Sequence, residues 1–171
     1  MKSAPTFVAL DFETADYQRD SACAVAIVRV ESLRIVRTDV YLLRPPRRDF
    51  VFTYVHGISW KDVRRKPTFA EQWPKLAEHL EGAAFIAAHN SGFDESVLHT
   101  CCGIAKISPP KVPFVCTMEI ARDIWRIHPT KLPHVCAKLS IPLKKHHDPV
   151  SDAKACANIV IKAMKAGWSI S

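Results

Sequence analysis

No stretch of this sequence stays apolar for the roughly 20 residues that a membrane-spanning helix needs. The longest nearly uncharged runs, such as Ala83 to Ala88 and Asn158 to Ile161, fall far short of that length. A secretory leader is not visible either, because the acidic pair Asp11 and Glu13 arrives before any apolar stretch long enough to serve as its hydrophobic segment. Internal repeats, low-complexity tracts and linker-like segments are absent, so nothing in the sequence divides the chain. None of the six cysteines (Cys23, Cys101, Cys102, Cys116, Cys136, Cys156) lies in a C-x-x-C spacing. They are expected to be buried free thiols. Zinc on Cys101 with Cys102, or on His146 with His147, is disfavoured because adjacent side chains point different ways. These absences predict a soluble, cytoplasmic protein without a membrane partner.

What is present suits one core: 171 residues, 48% of them hydrophobic, are too few for two ordinary domains. A single domain over residues 1–171 is expected. The 24 Lys and Arg against 17 Asp and Glu leave a net charge of +7, which favours a polyanionic partner by concentrating phosphate near the surface. Three basic clusters stand out: Arg44, Arg47 and Arg48; Lys61, Arg64, Arg65 and Lys66; Lys144 and Lys145. Each is read either as a track for a phosphate backbone or as ordinary solvated surface. Trp60, Trp73, Trp125 and Trp168 are able to stack on bases, but core or helix packing is favoured for most of them.

The runs Thr6 to Phe12, Ala22 to Val30 and Ile35 to Leu43 are rich in β-branched and apolar residues and predict three consecutive strands in a meander. A Pro- and Arg-rich break and a loop containing His56-Gly57-Ile58 lead to a helix from about Thr68 to Glu81, which Pro74 is expected to kink or split. A short strand at Ala84 to Ala88 runs into His89-Asn90-Ser91-Gly92-Phe93-Asp94 and a helix to about Cys102. A last strand is expected at Phe114 to Cys116, then helices at Thr117 to Trp125 and about Leu132 to Leu139. Asp148 as N-cap, Pro149 at the first helical position and Gly167 near the end frame a final helix. Strands first, then alternating helices and strands, predict an α/β domain with a mixed sheet flanked by helices.

Taken singly, the acids have ordinary explanations. Asp11 and Glu13, two apart on a strand, share one face and serve equally as a charged strand exit. Ser91-x-x-Asp94 reads as a helix cap, and Asp152 as an acid in a first helical turn. Taken jointly, each lies beside a strand end or a helix start, where such ends converge on one crevice. Two hard cations need several oxygen ligands, and four carboxylates supply them.

The ordered set Asp11-x-Glu13-Thr14, His89-Asn90-x-x-Phe93-Asp94 and His147-x-x-x-x-Asp152 resembles the DEDDh 3′→5′ exonuclease superfamily, from about Phe7 to Ala163, and Val55-His56-Gly57-Ile58 resembles a loop of the same family. The resemblance implies a ribonuclease-H-like fold, a five-stranded sheet and a two-metal hydrolysis that releases nucleoside 5′-monophosphates. It implies that Asp11, Glu13, Asp94 and Asp152 hold two divalent ions, Mg²⁺ or Mn²⁺, and that His147 is the general base. His146 is expected to point elsewhere. Substrate contacts are expected from Phe12, Thr14, His56, Asn90, Lys144 and Lys145. The partner implied is a nucleic acid with a free 3′ end, single-stranded DNA in the first instance, with homodimer formation left open. Ala15 departs from the frequent Gly after the first motif, which bears on the path around the terminal nucleotide. No C-terminal polymerase tether is visible, so a free-standing nuclease is expected. An RNA-trimming exonuclease or oligoribonuclease is the alternative enzyme. A silent nucleic-acid-binding module is disfavoured, since clustered negative charge facing phosphates benefits only a metal-using site.

Overall fold

The computed structural model describes residues 4–170. Its centre is a five-stranded sheet in the order β3-β2-β1-β4-β5. The strands are β1 (Phe7–Thr14), β2 (Ala22–Glu31), β3 (Arg34–Leu42), β4 (Ile86–Ala88) and β5 (Phe114–Cys116). As the sequence predicts, β1, β2 and β3 form an antiparallel meander, whereas β4 pairs parallel with both β1 and β5. This is the mixed sheet expected of a ribonuclease-H-like α/β fold.

Seven helices complete the described chain: α1 (Thr53–His56), α2 (Trp60–Val63), α3 (Phe69–Leu80), α4 (Ser91–Ile104), α5 (Thr117–Trp125), α6 (Leu132–Lys138) and α7 (Pro149–Lys165). None among the described residues is long and apolar enough to cross a membrane. Because side chains alternate along a strand, β1 serves two cores at once. Phe7 and Ala9 pack with α5, α6 and α7, while Val8, Leu10 and Phe12 pack with α3 and α4 on the opposite face. Asp11 and Glu13 continue the odd-numbered series, so they emerge on the α7 side. That helix buries Ala153, Ala155, Ala157 and Ala163 together with Ile159 and Val160 against the sheet, and its small residues allow a close approach. Phe7 stacks on Phe85 with centroids 4.9 Å apart, and burial of each ring contributes about 1.5–3 kcal/mol.

The cysteines are unpaired, five of them buried and Cys116 partly so. Trp168 meets the edge of Phe85 and Trp73 packs on Phe69, which assigns both indoles to packing. Two details differ from the sequence-based expectation. Helix α3 runs unbroken through Pro74; the amide lost at proline deprives only the carbonyl of exposed Ala70, which water reaches. The loop around His56 contains two one-turn helices, α1 and α2, too short to leave a hydrophobic period. Gly57, in the left-handed region at φ +79°, ends α1 by donating its N–H to the Thr53 carbonyl.

Candidate active site

The acid site forms where β1 outruns its neighbour. Strand β4 pairs with Val8 and Ala9 and stops at Ala88, so the Phe12 amide has no strand on that side to receive it. Asp94, in the first turn of α4, supplies the acceptor: Phe12 N–H donates to Asp94 Oδ1 at 2.9 Å across 82 residues of sequence. The cap reading of Asp94 is thereby corrected. The N-cap is Asn90, held left-handed at φ +64° and making no side-chain cap bond. A buried amide without a partner outweighs a local cap.

Asp11 and Glu13 reach the same crevice from β1. The register against β2 slips between Glu13 and Thr14, marking the end of regular pairing. From the other side comes α7, whose N-cap Asp148 accepts the Ser151 amide at 2.9 Å. Its first turn delivers Asp152, whose Oδ2 accepts from the His147 amide and meets His146 Nδ1, both at 3.0 Å.

Here the expectation for His146 is overturned. Its ring bonds Asp152 and stacks on His147, centroids 3.7 Å apart, instead of pointing away. The cause is backbone: His147 has φ +66°, and a left-handed residue folds the chain back so that neighbouring side chains meet. One ligand atom from each of His146, His147 and Asp152 lies within 4.8 Å of the others. Adjacent histidines diverge on extended or helical backbone, and this loop has neither at His147.

Together these groups line a crevice of about 720 Å³. Its electrostatics are those of negative charge without counter-charge. Burial, then the carboxylates of Asp94, Glu13 and Asp152, push Asp11 well above the ordinary carboxylate range. Burial followed by Asp152 and Asp94 raises Glu13 to about 8, and burial raises Asp94 to about 7. Asp152 is raised too, chiefly by burial. No Lys or Arg lies within ion-pair distance of these acids among the described residues; His146 alone pairs with one. Asp11 Oδ2 and Asp152 Oδ1 are buried with no hydrogen-bond partner. Unpartnered hard oxygens, flanked by imidazoles, are a donor set suited to divalent cations.

The other residues singled out by sequence are distributed unevenly. Asn90 lines the crevice. Phe12 contributes to its wall, but its ring is buried on the opposite face with Val8 and Leu10, where no base can stack on it. Thr14 and His56 are buried outside the crevice. His56 Nδ1 accepts the Ile58 amide, which leaves Nε2 to donate to the Thr14 carbonyl, both at 3.1 Å. It is a satisfied neutral histidine, lowered in pKa chiefly by burial, that braces the end of β1. Lys144 and Lys145 are exposed and do not line the crevice.

Sequence reasoning gave no role to three residues that do line it. His89, within the quoted second motif, bonds Thr117 Oγ1 at 2.8 Å and the Thr130 carbonyl at 2.7 Å, fixing the 128–133 loop at the rim. His146 had a signal in its pairing with His147. Lys131 is the lysine of the lining, and a lone lysine beside prolines carries no signal.

Comparison with known proteins places the chain as a whole. The RNase_T family, described as Exonuclease, matches residues 8–160. The DNA polymerase III PolC-type of Thermotoga maritima is 27% identical over 92% of this chain, which spans 12% of that protein's length. The DNA polymerase III subunit epsilon of Escherichia coli is 26% identical over 94% of this chain and 71% of its own. Among solved structures, Exonuclease X in complex with 5′ overhanging duplex DNA superposes with a TM-score of 0.77 at 23% identity, covering 95% of this chain and 94% of the other. A full-length 3′-exonuclease superposes at 0.82 with 18% identity, covering 97% and 84%. These two likenesses are likenesses of fold.

Proposed function

The chain belongs to this exonuclease family, within the DEDDh 3′→5′ exonuclease superfamily, and from that premise we propose that it is a single nuclease domain that hydrolyses the terminal phosphodiester at the 3′ end of DNA and releases nucleoside 5′-monophosphates. The observation that carries this reading is the gathering of four carboxylates and three histidines in one crevice with no lysine or arginine paired to any of the acids among the described residues. DNA is favoured over RNA because the relatives at 25–29% identity across nearly the whole chain are DNA polymerase III proteins.

In this reading Asp11, Glu13, Asp94 and Asp152 hold two divalent cations, Mg²⁺ or Mn²⁺. When bound, such ions act as Lewis acids that ease the deprotonation of water and offset charge on the phosphate. His147 takes the proton of the attacking water. Its imidazole is held below its ordinary pKa, first by burial and then by His146, so it is neutral and able to accept near pH 7. His146 orients the Asp152 carboxylate through Nδ1 and supports the His147 ring by stacking on it. The Phe12 amide fixes Asp94, so α4 and β1 hold their acids at a constant separation. Asn90 and Lys131 receive the terminal nucleotide.

The test is digestion of 5′-labelled single-stranded DNA and RNA of one sequence, with Mg²⁺, with Mn²⁺ and with chelator. A metal-dependent ladder shortening from the 3′ end of DNA, blocked by a 3′-phosphate, is expected. Cleavage of circular single strands, or products released from the 5′ end, would overturn it. Faster digestion of RNA would transfer the site to RNA trimming.

A further inference from the structure

On the α3–α4 face of the sheet lies a second and larger cavity, of about 820 Å³. It forms where two segments of the β3–α3 connection meet, the Arg44 amide donating to the Pro67 carbonyl at 2.9 Å and closing the loop between them. Two basic clusters that are separate in sequence thereby become one: Arg44 and Arg48 line the cavity from the first segment, Arg64 and Arg65 from the second. Trp60 and Ile104 supply apolar wall, and Ile104 is 63% exposed.

Three of the four arginines in this cavity lack a carboxylate partner among the described residues. Asp20 is the acid among the described lining residues, and it is already bonded by Arg47, with Nη1 to Oδ2 at 2.9 Å. Arg48, Arg64 and Arg65 are exposed and have no carboxylate within 4.0 Å among the described residues; Arg44 has Glu71 at 3.9 Å. The Arg48 guanidinium lies over the Trp60 ring, 5.6 Å from its centroid. Guanidinium forks match phosphate oxygens, and an indole offers a stacking surface for a base. Ala22 in the cavity wall pairs with Thr14, the residue after Glu13. Cavity and acid crevice therefore share one end of the sheet, and α4 contributes to the lining of both.

We propose that this arginine-lined cavity is a second nucleic-acid site, holding phosphates of the substrate strand away from the 3′ end that is cut. Four spread guanidiniums and a volume exceeding that of the acid crevice exceed the needs of one phosphate, which favours a polymer over a free nucleotide. The identity of the strand rests on the nuclease reading; the affinity for polynucleotide does not.

The test uses the full chain carrying Arg48→Gln, Arg64→Gln and Arg65→Gln together, and a control of equal charge carrying Lys106→Gln, Lys138→Gln and Lys162→Gln. Melting temperature verifies that both fold. Binding of a fluorescent twenty-residue thymidine oligomer is measured by anisotropy in chelator, over a range of salt. The arginine variant is expected to bind roughly tenfold more weakly at low salt, with a slope of log affinity against log salt shallower by roughly 2, about 0.7 for each phosphate no longer neutralised. The lysine variant should stay within about twofold of the parent. Equal weakening of the two variants would reduce the effect to net charge and overturn the site. So would an arginine variant that binds like the parent. Loss of AMP binding in the arginine variant with oligomer binding intact would overturn it in favour of a free nucleotide. Arginine-dependent binding without hydrolysis under any metal would sink the nuclease reading and support this one, whereas hydrolysis with arginine-independent binding would do the reverse.

Discussion

Asp16 and Asp20 lie a few residues beyond Glu13, in the β1–β2 connection, yet their charge is handled in the opposite way. Arg47 reaches both: Nε bonds Asp16 Oδ2 at 3.0 Å and Nη1 bonds Asp20 Oδ2 at 2.9 Å. Burial works against Asp16, but hydrogen bonds from Arg47 and the Gln18 amide outweigh it and hold its carboxyl below the ordinary range; Asp20 is lowered foremost by Arg47. Across the end of β1, Asp11, Glu13, Asp94 and Asp152 are all raised. One group of acids receives its counter-charge from the chain. The other receives none from any lysine or arginine among the described residues, and in the proposed function a divalent cation supplies it.

The comparison breaks most directly at Asp11. Asp11→Asn is expected to reduce nuclease activity to background while raising the melting temperature of the metal-free protein at pH 8, because the cost of burying this carboxyl among three others, met either by charging it or by protonating it far above its ordinary pKa, is removed. A variant that is inactive and also less stable would show that the Asp11 carboxylate supports the fold instead. Next in size, His147→Ala should lose about 10²- to 10⁴-fold in single-turnover rate, the usual cost of removing a general base. His146→Ala should lose about 10- to 100-fold, the usual cost of removing a partner that orients a metal ligand, and excess Mn²⁺ should recover part of it. Equal losses insensitive to Mn²⁺ would mean that the histidines do not divide the work as described.

Smaller effects sharpen the contrast. A group whose pKa is raised on folding stabilises the protein fully below its unfolded value and loses that contribution as pH rises through the folded value. For Glu13 the window runs from the ordinary 4.5 to about 8, and for Asp94 from 3.8 to about 7. The metal-free melting temperature should therefore fall between about pH 4.5 and 8. Saturating Mn²⁺ should remove most of the fall by binding only the folded state. A metal-free profile flat over that range would contradict the repulsion. Least of all, Arg47→Gln should lower stability near neutral pH by no more than about 1 kcal/mol, since the guanidinium is partly exposed and screened. Because Asp16 and Asp20 are lowered on folding, what Arg47 contributes is present above the ordinary carboxylate pKa and lost as pH falls through the folded values. The pH dependence of Arg47→Gln relative to the parent thus has the opposite sign to that of the crevice acids, and a calorimetric titration of both proteins checks it.

Much of this was legible in the chain. The runs that become β1 and β2 announce central strands because burial on both faces needs continuous apolar residues, whereas β3, a half-exposed edge strand, is legible from its β-branched residues instead. Asp148, Pro149 and Gly167 frame α7 through capping chemistry that is entirely local. What was not legible depends on partners far away. Asp94 looks like a cap until the unpaired Phe12 amide, 82 residues earlier, is placed beside it. His146 looks outward until the left-handed backbone of His147 turns it onto Asp152. His56 sits in a familiar-looking segment, yet its two ring nitrogens are taken up by Ile58 and Thr14. The merging of two arginine clusters depends on one backbone hydrogen bond between Arg44 and Pro67, which no pattern of side chains encodes.

The reach of the Phe12–Asp94 hydrogen bond, and of the approach of α7 to β1 beyond it, also bears on when the site comes into being. Its acids are drawn from residue 11 to residue 152, so most of the described chain must leave the ribosome before the last of them exists. A nascent fragment ending before Pro149 lacks Asp152 and the helix that carries it, so His146 and His147 have no Asp152 carboxylate to fold back onto. Closing contacts over such separations is slow relative to local structure. In the proposed reading, the cutting site is therefore assembled only once α7, the last of the described helices, is in place.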